Sequence, residues 1–168
     1  MKKYFKSVVK DMLEKSIRKT IPIVFSFDNN YVIPAAVAFF SLLNKAKHDI
    51  FYEMFVLHCD ISTENQSLLQ SIVKKTNNAT LTFINTKGLL INEWQKGNFS
   101  KNLHRDGQFT ADTIIRCFIA GLLPQYDKVI YSDVDIVVVD DISDLYDIDL
   151  DYGGGQIHWC SQGCVYEI

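Results

Sequence analysis

Short apolar runs and helical periodicities take turns along this chain. Residues 1–20 carry Phe5, Val8, Val9, Met12, Leu13 and Ile17 at helical spacing with lysines opposite, which predicts a basic amphipathic helix. That helix must stop before Pro22, because the residue preceding a proline disfavours helical angles. Ile21 to Phe27 is a continuous apolar run that predicts a buried strand, leading into the polar turn Asp28-Asn29-Asn30. A helix is expected from about Val32 to Lys47, with Pro34 tolerated in its first turn and Lys45, Lys47 and His48 suited to its C-terminus. Phe51 to Leu57 predicts a second strand that exits through His58-Cys59-Asp60. Ser62 or Thr63 can cap a helix running to about Lys75. Thr80 to Ile84 predicts a third strand, Thr110 to Leu123 a helix closed by Pro124, and Lys128 to Ser132 a fourth strand. Ile136 to Val139 continues extended, and residues 86–108 give no pattern beyond a short helix and a loop.

Four alternations of strand and helix predict an α/β fold: an open, mostly parallel sheet with helices on both faces. Such sheets bind ligands at the carboxyl ends of their strands. Two polar segments fall at such ends, Asp28-Asn29-Asn30-Tyr31 and Asp133-Val134-Asp135. The length of 168 residues suits one domain. The pattern divides it into the basic helix of residues 1–20, the α/β unit of residues 21–150 and a divergent tail of residues 151–168. No apolar run approaches the ~18–20 residues of a membrane span. Mean hydropathy is +0.02 and 48% of residues are apolar, which excludes a polytopic membrane protein and a disordered chain.

Charge changes the picture locally rather than globally. The formal net charge of -3 gives no electrostatic case for nucleic acid. Residues 1–20 hold seven of the 17 basic residues, so their helix either packs on the domain or rests on an anionic membrane surface. The stretch 127–151 holds nine aspartates and one basic residue, Lys128. Most of these read as loop and turn residues. Asp133 and Asp135 differ, because they stand between the apolar runs Val129-Ile130-Tyr131 and Ile136-Val137-Val138-Val139. Residues i and i+2 of an extended chain share a side, so the two carboxylates repel unless a cation offsets them. A hard divalent ion with oxygen ligands does so and can bridge to a diphosphate.

Competing chemistries are absent from the sequence. There is no phosphate-binding GxxxxGK[ST], no G-x-G-x-x-G after a strand and no G-x-S-x-G. Gly153-Gly154-Gly155 reads as a flexible turn. Cys59 and Cys117 are expected as small buried apolar residues. Cys160, Cys164 and His158 lack the second pair a zinc site needs. Lys2 and Lys3 are followed by no apolar leader core, so a reducing cytoplasm is the expected compartment. The Asn-x-Ser/Thr matches at Asn65, Asn78 and Asn98 then carry no meaning. What remains is a nucleotide site that uses metal instead of a glycine loop.

From about Ile21 to Leu150 the chain resembles glycosyltransferase family 8, the GT-A type that includes bacterial lipopolysaccharide galactosyl- and glucosyltransferases and glycogenin. Three pieces carry the resemblance. Ile23-Val24-Phe25-Ser26-Phe27-Asp28-Asn29-Asn30-Tyr31 is similar to the family's opening strand and nucleotide loop. Thr113-Ile114-Ile115-Arg116 is similar to its Thr-Tyr-x-Arg helix. Asp127 to Val138, continuing through Asp144-Leu145-Tyr146, is similar to its metal motif. The order and spacing of the three together make the resemblance specific.

The resemblance implies a GT-A, Rossmann-like sheet and a metal-dependent, retaining transfer of a hexose, galactose or glucose. The donor would be a UDP-sugar and the acceptor a glycan such as lipopolysaccharide. Ser26 and Asp28 would meet the uracil or ribose, Asn30 the ribose or diphosphate side, and Tyr31 would stack on the uracil. Arg116 would bind the diphosphate or donor sugar. Asp133 and Asp135 would hold Mn2+ or Mg2+, with Asp133 also near the donor sugar. The plainer alternatives are a core aromatic for Tyr31, a surface ion pair for Arg116, and a turn or helix cap for Asp28. Ser132 and Ile114 replace the family's usual apolar residue and Tyr. The family's later acceptor-binding strands and its late metal-binding His have no counterpart here, which implies a sheet incomplete at the C-terminus. His104 and His158 stand in no such motif. A truncated copy, a non-catalytic UDP-sugar and divalent-metal binding remnant, and one half of a split enzyme are the competing readings. A metal-dependent nucleotidyltransferase shares the carboxylate chemistry. Its expected location is cytoplasmic, with peripheral contact at the inner membrane face as the alternative through residues 1–20.

Overall fold

The computed structural model describes residues 18–89 and 115–149, together with the backbone of 157–160 and 163–167. The predicted helix over residues 1–17, Thr113 and Ile114, most of the unassigned stretch after Thr86, and the glycine turn lie outside the described residues. So do the side chains of Cys117, His158, Cys160 and Cys164.

The strands are β1 (Lys19–Ser26), β2 (Ile50–His58), β3 (Ala79–Asn85), β4 (Lys128–Tyr131), β5 (Ile157–Cys160) and β6 (Gly163–Glu167). They form one sheet in the order β3-β2-β1-β4-β6-β5. The first four run parallel, and β6 joins β4 antiparallel as one arm of a hairpin with β5. The fold class read from the sequence is therefore observed, and residues 157–160 and 163–167 of the divergent tail contribute two strands. Lys19 and Thr20, grouped with the N-terminal helix on sequence, belong to β1.

Parallel strands covered on both faces require nearly continuous apolar sequence, as β1 and β2 have. Ile21, Ile23 and Phe25 of β1 and Tyr52, Met54 and Val56 of β2 face one core. Val24, Phe55 and Leu57 face the other, together with Val129 and Tyr131 of β4. The first core is covered by α1 (Val32–Lys45) and α2 (Thr63–Val73). α1 buries Val32, Ala35, Ala38, Phe39, Leu42 and Leu43, one stripe of a 3.6-residue period. Phe39 stacks tilted on Phe25 with centroids 4.8 Å apart. α2 starts at Ser62, whose Oγ accepts from the Asn65 N–H at 3.3 Å, and buries Leu69 and Val73. The second core is covered by Ile115, Ile119 and Leu123, from a 3-10 turn (Arg116–Phe118) and the short α3 (Ile119–Leu122).

A proline in a central strand is unusual, and the register accounts for Pro22. Lys19 N–H donates to Asp49 on the β2 side, whereas Val24 C=O accepts from Ser132 on the β4 side. Alternation along the strand then turns residue 22 towards β4. Pairing with β4 begins only at Ile23↔Ile130, so the missing N–H breaks no ladder bond.

The chain crosses from β1 to β2 to β3 on one side, then returns to place β4 on the other side of β1. The strand order therefore reverses between β1 and β4. In an open α/β sheet, the crevice beyond the carboxyl ends at such a point is where ligands bind.

Candidate functional site

Ser26 ends β1 at this crevice and is buried, two residues beyond the last β1–β4 pair, Val24↔Tyr131. Alternation also turns the backbone N–H and C=O of Ser26 towards β4. Beyond it, Asp28 caps a 3-10 turn (Asn29–Tyr31). Its Oδ1 accepts from the Asn30 N–H at 2.8 Å and its Oδ2 from Asn30 Nδ2 at 3.2 Å. The capping role weighed from the sequence is thus present. A carboxylate offers about four acceptor sites, so two bonds leave capacity for a ligand. Asn30 is exposed, and Tyr31 is 48% exposed, so its ring is not a core aromatic.

Arg116 approaches from the opposite core. Its guanidinium lies 5.1 Å from the centroid of the Tyr131 ring. Its Nε is buried without a hydrogen-bond partner, and it forms no ion pair among the described residues. A buried guanidinium nitrogen without a partner is costly unless a ligand or water meets it. The surface ion pair, the plainer alternative for Arg116, is absent among the described residues.

Tyr131, the last residue of β4, also donates through its OH to Asp133 Oδ1 at 3.3 Å. Asp133 and Asp135 are both exposed and flank the buried Val134. The sequence led us to expect an extended chain holding both carboxylates between buried runs. Instead, β4 stops at Tyr131 and the chain bends at residues 134–135. Solvent screens the two charges, so burial cost does not argue for a cation. The following segment alternates as an extended chain should. Ile136 and Val138 pack on the first core, Val137 and Val139 are exposed, and the Val138 N–H donates to Ser41 Oγ of α1 at 3.0 Å.

Among the described residues no group of three or more His, Cys, Asp or Glu could hold a metal ion. The Asp133 and Asp135 carboxylates are hard oxygen donors of the kind Mn2+ and Mg2+ take. They would supply such an ion with two oxygen ligands.

Two residues at the crevice escaped the sequence reading as more than an exit segment. His58 ends β2, is 3% exposed, and accepts the Ile61 N–H at Nδ1 over 3.2 Å. Burial pushes its pKa below the usual histidine range, against a smaller opposing effect of Asp60. Its carbonyl accepts from the N–H of Thr86 at 2.8 Å and from Thr86 Oγ1 at 3.2 Å, tying the exits of β2 and β3. Asn29 joins the nucleotide-loop segment to the β2 exit. His58 shows no periodicity or motif, a polar residue at a strand end being its only sequence signal, and Asn29 stands in the opening-strand segment with nothing local to reveal its bonds. Cys59, expected buried, is half-buried, with Sγ 3.7 Å from Thr86 Oγ1.

Away from the crevice, Lys47 Nζ pairs with Asp141 at 3.3 Å and Asp144 at 2.9 Å. Burial pushes the Asp141 carboxyl up, but bonds from Ser143 and Lys47 outweigh it and hold the group below the usual carboxylate range. This acidic cluster already has its cation.

An open α/β sheet of this order offers a ligand crevice at its β1/β4 switch point. The sequence profile of Glycosyl transferase family 8 matches residues 22–159, most of the chain, and the protein belongs to that family. The apo structure of the bifunctional glycosyltransferase WbbM is similar at 29% identity and a TM-score of 0.63, over 78% of this chain and 21% of that one. The galactosyltransferase LgtC, solved with donor and acceptor sugar analogues, is similar at 25% identity and a TM-score of 0.59, over 77% of this chain and 43% of that one. The glycosyltransferase GlyE of Streptococcus pneumoniae TIGR4 shares the fold at 21% identity and a TM-score of 0.59, over 89% of this chain and 34% of that one. The chain thus spans less than half the length of each. No curated protein matches it.

Proposed function

We propose that this chain carries the donor-binding site of a metal-dependent, retaining hexosyltransferase that takes galactose or glucose from a UDP-sugar to a glycan acceptor such as lipopolysaccharide. One observation carries the reading. The three segments that resemble the family's donor motifs, far apart in sequence, come together beside the β1/β4 switch point, with the Arg116 guanidinium on the Tyr131 ring, the Tyr131 hydroxyl on Asp133, and Tyr131 itself paired with Val24 of β1. LgtC, by its description, holds donor and acceptor sugar analogues. Family membership supports extending a sugar donor to this site.

In this reading the Ser26 backbone and the Asp28 carboxylate engage the uracil and ribose, Asn30 reaches the ribose or diphosphate side, and the exposed Tyr31 ring stacks on the base. Cleavage of the anomeric bond leaves negative charge on the diphosphate. The Arg116 guanidinium, which lies against the Tyr131 ring and whose Nε has no hydrogen-bond partner among the described residues, is the protein's own cation for that charge. Asp133 and Asp135 would hold Mn2+ or Mg2+, which when bound supplies further stabilisation of the diphosphate leaving group. Asp133 would also stand near the donor sugar. A second reading of the same site is binding of UDP-sugar and metal without transfer. No helix among the described residues is long and apolar enough to cross a membrane. Peripheral contact with an anionic membrane would then rest on the basic residues 1–20.

Calorimetric titration of UDP tests the site. Binding is expected with Mn2+, and at least ~10-fold weaker without it and in Asp133→Asn and Asp135→Asn, since a charged contact contributes ~1.5–3 kcal/mol. Equal affinity in all four cases would sink the proposal. Release of hexose to acceptor by the chain alone would exclude the binding-only reading.

A further inference from the structure

Asn29 lies between two residues assigned to the donor, yet its own polar groups are turned to the protein. Its backbone N–H donates to Asp60 Oδ1 at 3.3 Å. Its Oδ1 accepts the Ser62 N–H at 3.1 Å and Asn65 Nδ2 at 2.8 Å. The Ser62 amide can only donate, which fixes the side-chain oxygen towards α2. Both lone pairs of that oxygen are then occupied, so it has none for a nucleotide. Asp60, Ser62 and Asn65 belong to the β2 exit and the first turn of α2, and α2 is fixed to the core by Leu69 and Val73. All of these bonds are exposed, where a lone hydrogen bond adds little stability because water competes for it. Three converging on one residue instead fix the backbone on both sides of it. The Asp28 and Asn30 carbonyl, carboxylate and amide positions depend on that backbone.

We infer that Asn29 is a positioning residue for the nucleotide: it clasps the β1 exit loop to the β2–α2 connection and so pre-sets Asp28 and Asn30 for the ribose and base. The inference rests on the UDP-donor reading above and adds to it a residue that does not itself touch the donor. A pre-set loop loses less entropy on binding, and a small misplacement of contact groups weakens it steeply.

A double-mutant cycle on UDP affinity, measured by calorimetry with Mn2+ on the full chain, tests this. Asn29→Ala is expected to weaken binding by about 10-fold with unchanged stoichiometry and an unchanged far-ultraviolet spectrum. Asn65→Ala, whose side chain lies on the far side of the clasp, is expected to weaken it by about 3-fold. The double variant should bind no worse than Asn29→Ala, because both changes break one clasp. Asn29→Asp keeps the accepting oxygen and should stay within about 3-fold of the wild type. Additive losses would mean that Asn29 acts on the ligand independently of α2 and would overturn the inference. Wild-type affinity in Asn29→Ala would overturn it as well, while leaving the donor reading intact. Failure of the folded wild-type chain to bind UDP overturns the donor reading, and the positioning role falls with it.

Discussion

Tyr131 joins the two charged groups on which the proposed chemistry depends. Its ring lies against the Arg116 guanidinium and its hydroxyl holds Asp133. Tyr131→Phe keeps the ring and removes only the donor to the carboxylate. Metal-dependent UDP affinity should fall about 2- to 10-fold with the melting midpoint little changed, matching the about 0.5–1.5 kcal/mol that a single hydrogen bond contributes net of water. His58 gives a prediction of another kind. Burial holds its folded-state pKa below the ordinary 6.5, so the unfolded chain takes up a proton first as the pH falls. Its contribution to stability is complete above about pH 6.5, is lost as the pH falls below that, and levels off once the folded protein also protonates. His58→Asn retains an acceptor for the Ile61 N–H and removes the titration. Urea midpoints between pH 7 and pH 5 should therefore decline less in the variant than in the wild type; parallel declines would show that His58 is not responsible.

The elements themselves were largely legible in the chain. The run from Ile21 to Phe27 had to be a covered strand because no polar face interrupts it, and the Val32-to-Leu43 stripe had to be a helix because only a 3.6-residue period aligns Ala35, Phe39 and Leu42. The helix of Thr63–Val73 announced its start through Ser62. The course after β4 was less legible. Alternation predicted extended chain on both sides of Asp133, but sequence cannot show that the ladder ends at Tyr131 and that the chain bends before passing onto α1. What fixes the passage is one hydroxyl: Ser41 Oγ donates to the Ala38 carbonyl at 3.0 Å and accepts the Val138 N–H at 3.0 Å. Ser41→Ala leaves that half-buried amide without its partner. A loss of about 1–3 kcal/mol in urea unfolding is expected, along with faster hydrogen exchange at residue 138. Motif residues could be found by type and order, whereas Asn29 and His58 act through bonds to residues distant in sequence, which no local pattern reveals.

Across the whole molecule, acid concentrated between residues 127 and 151 divides into two regions of different character. Asp141 and Asp144 are held by Lys47, and Asp147 pairs with Lys19, so two lysines offset most of the charge of these three carboxylates. Asp133 and Asp135 form no ion pair among the described residues and stand at the switch point. The sheet places the same division in space, and its edge matters too. β6 covers β4 over Lys128–Tyr131, and an uncovered parallel strand is a template for pairing with another chain. Deleting residues 157–168 should produce concentration-dependent self-association in sedimentation analysis, which the full chain should not show. The central claim, that the free acid pair and the β1 exit form one donor site, is tested most directly by nuclear magnetic resonance line broadening from substoichiometric Mn2+ in the presence of UDP. Our account predicts that amide signals of residues 132–135 and 26–30 broaden first and together. Broadening centred on Asp140, Asp141 and Asp144, or spread without a centre, would contradict it.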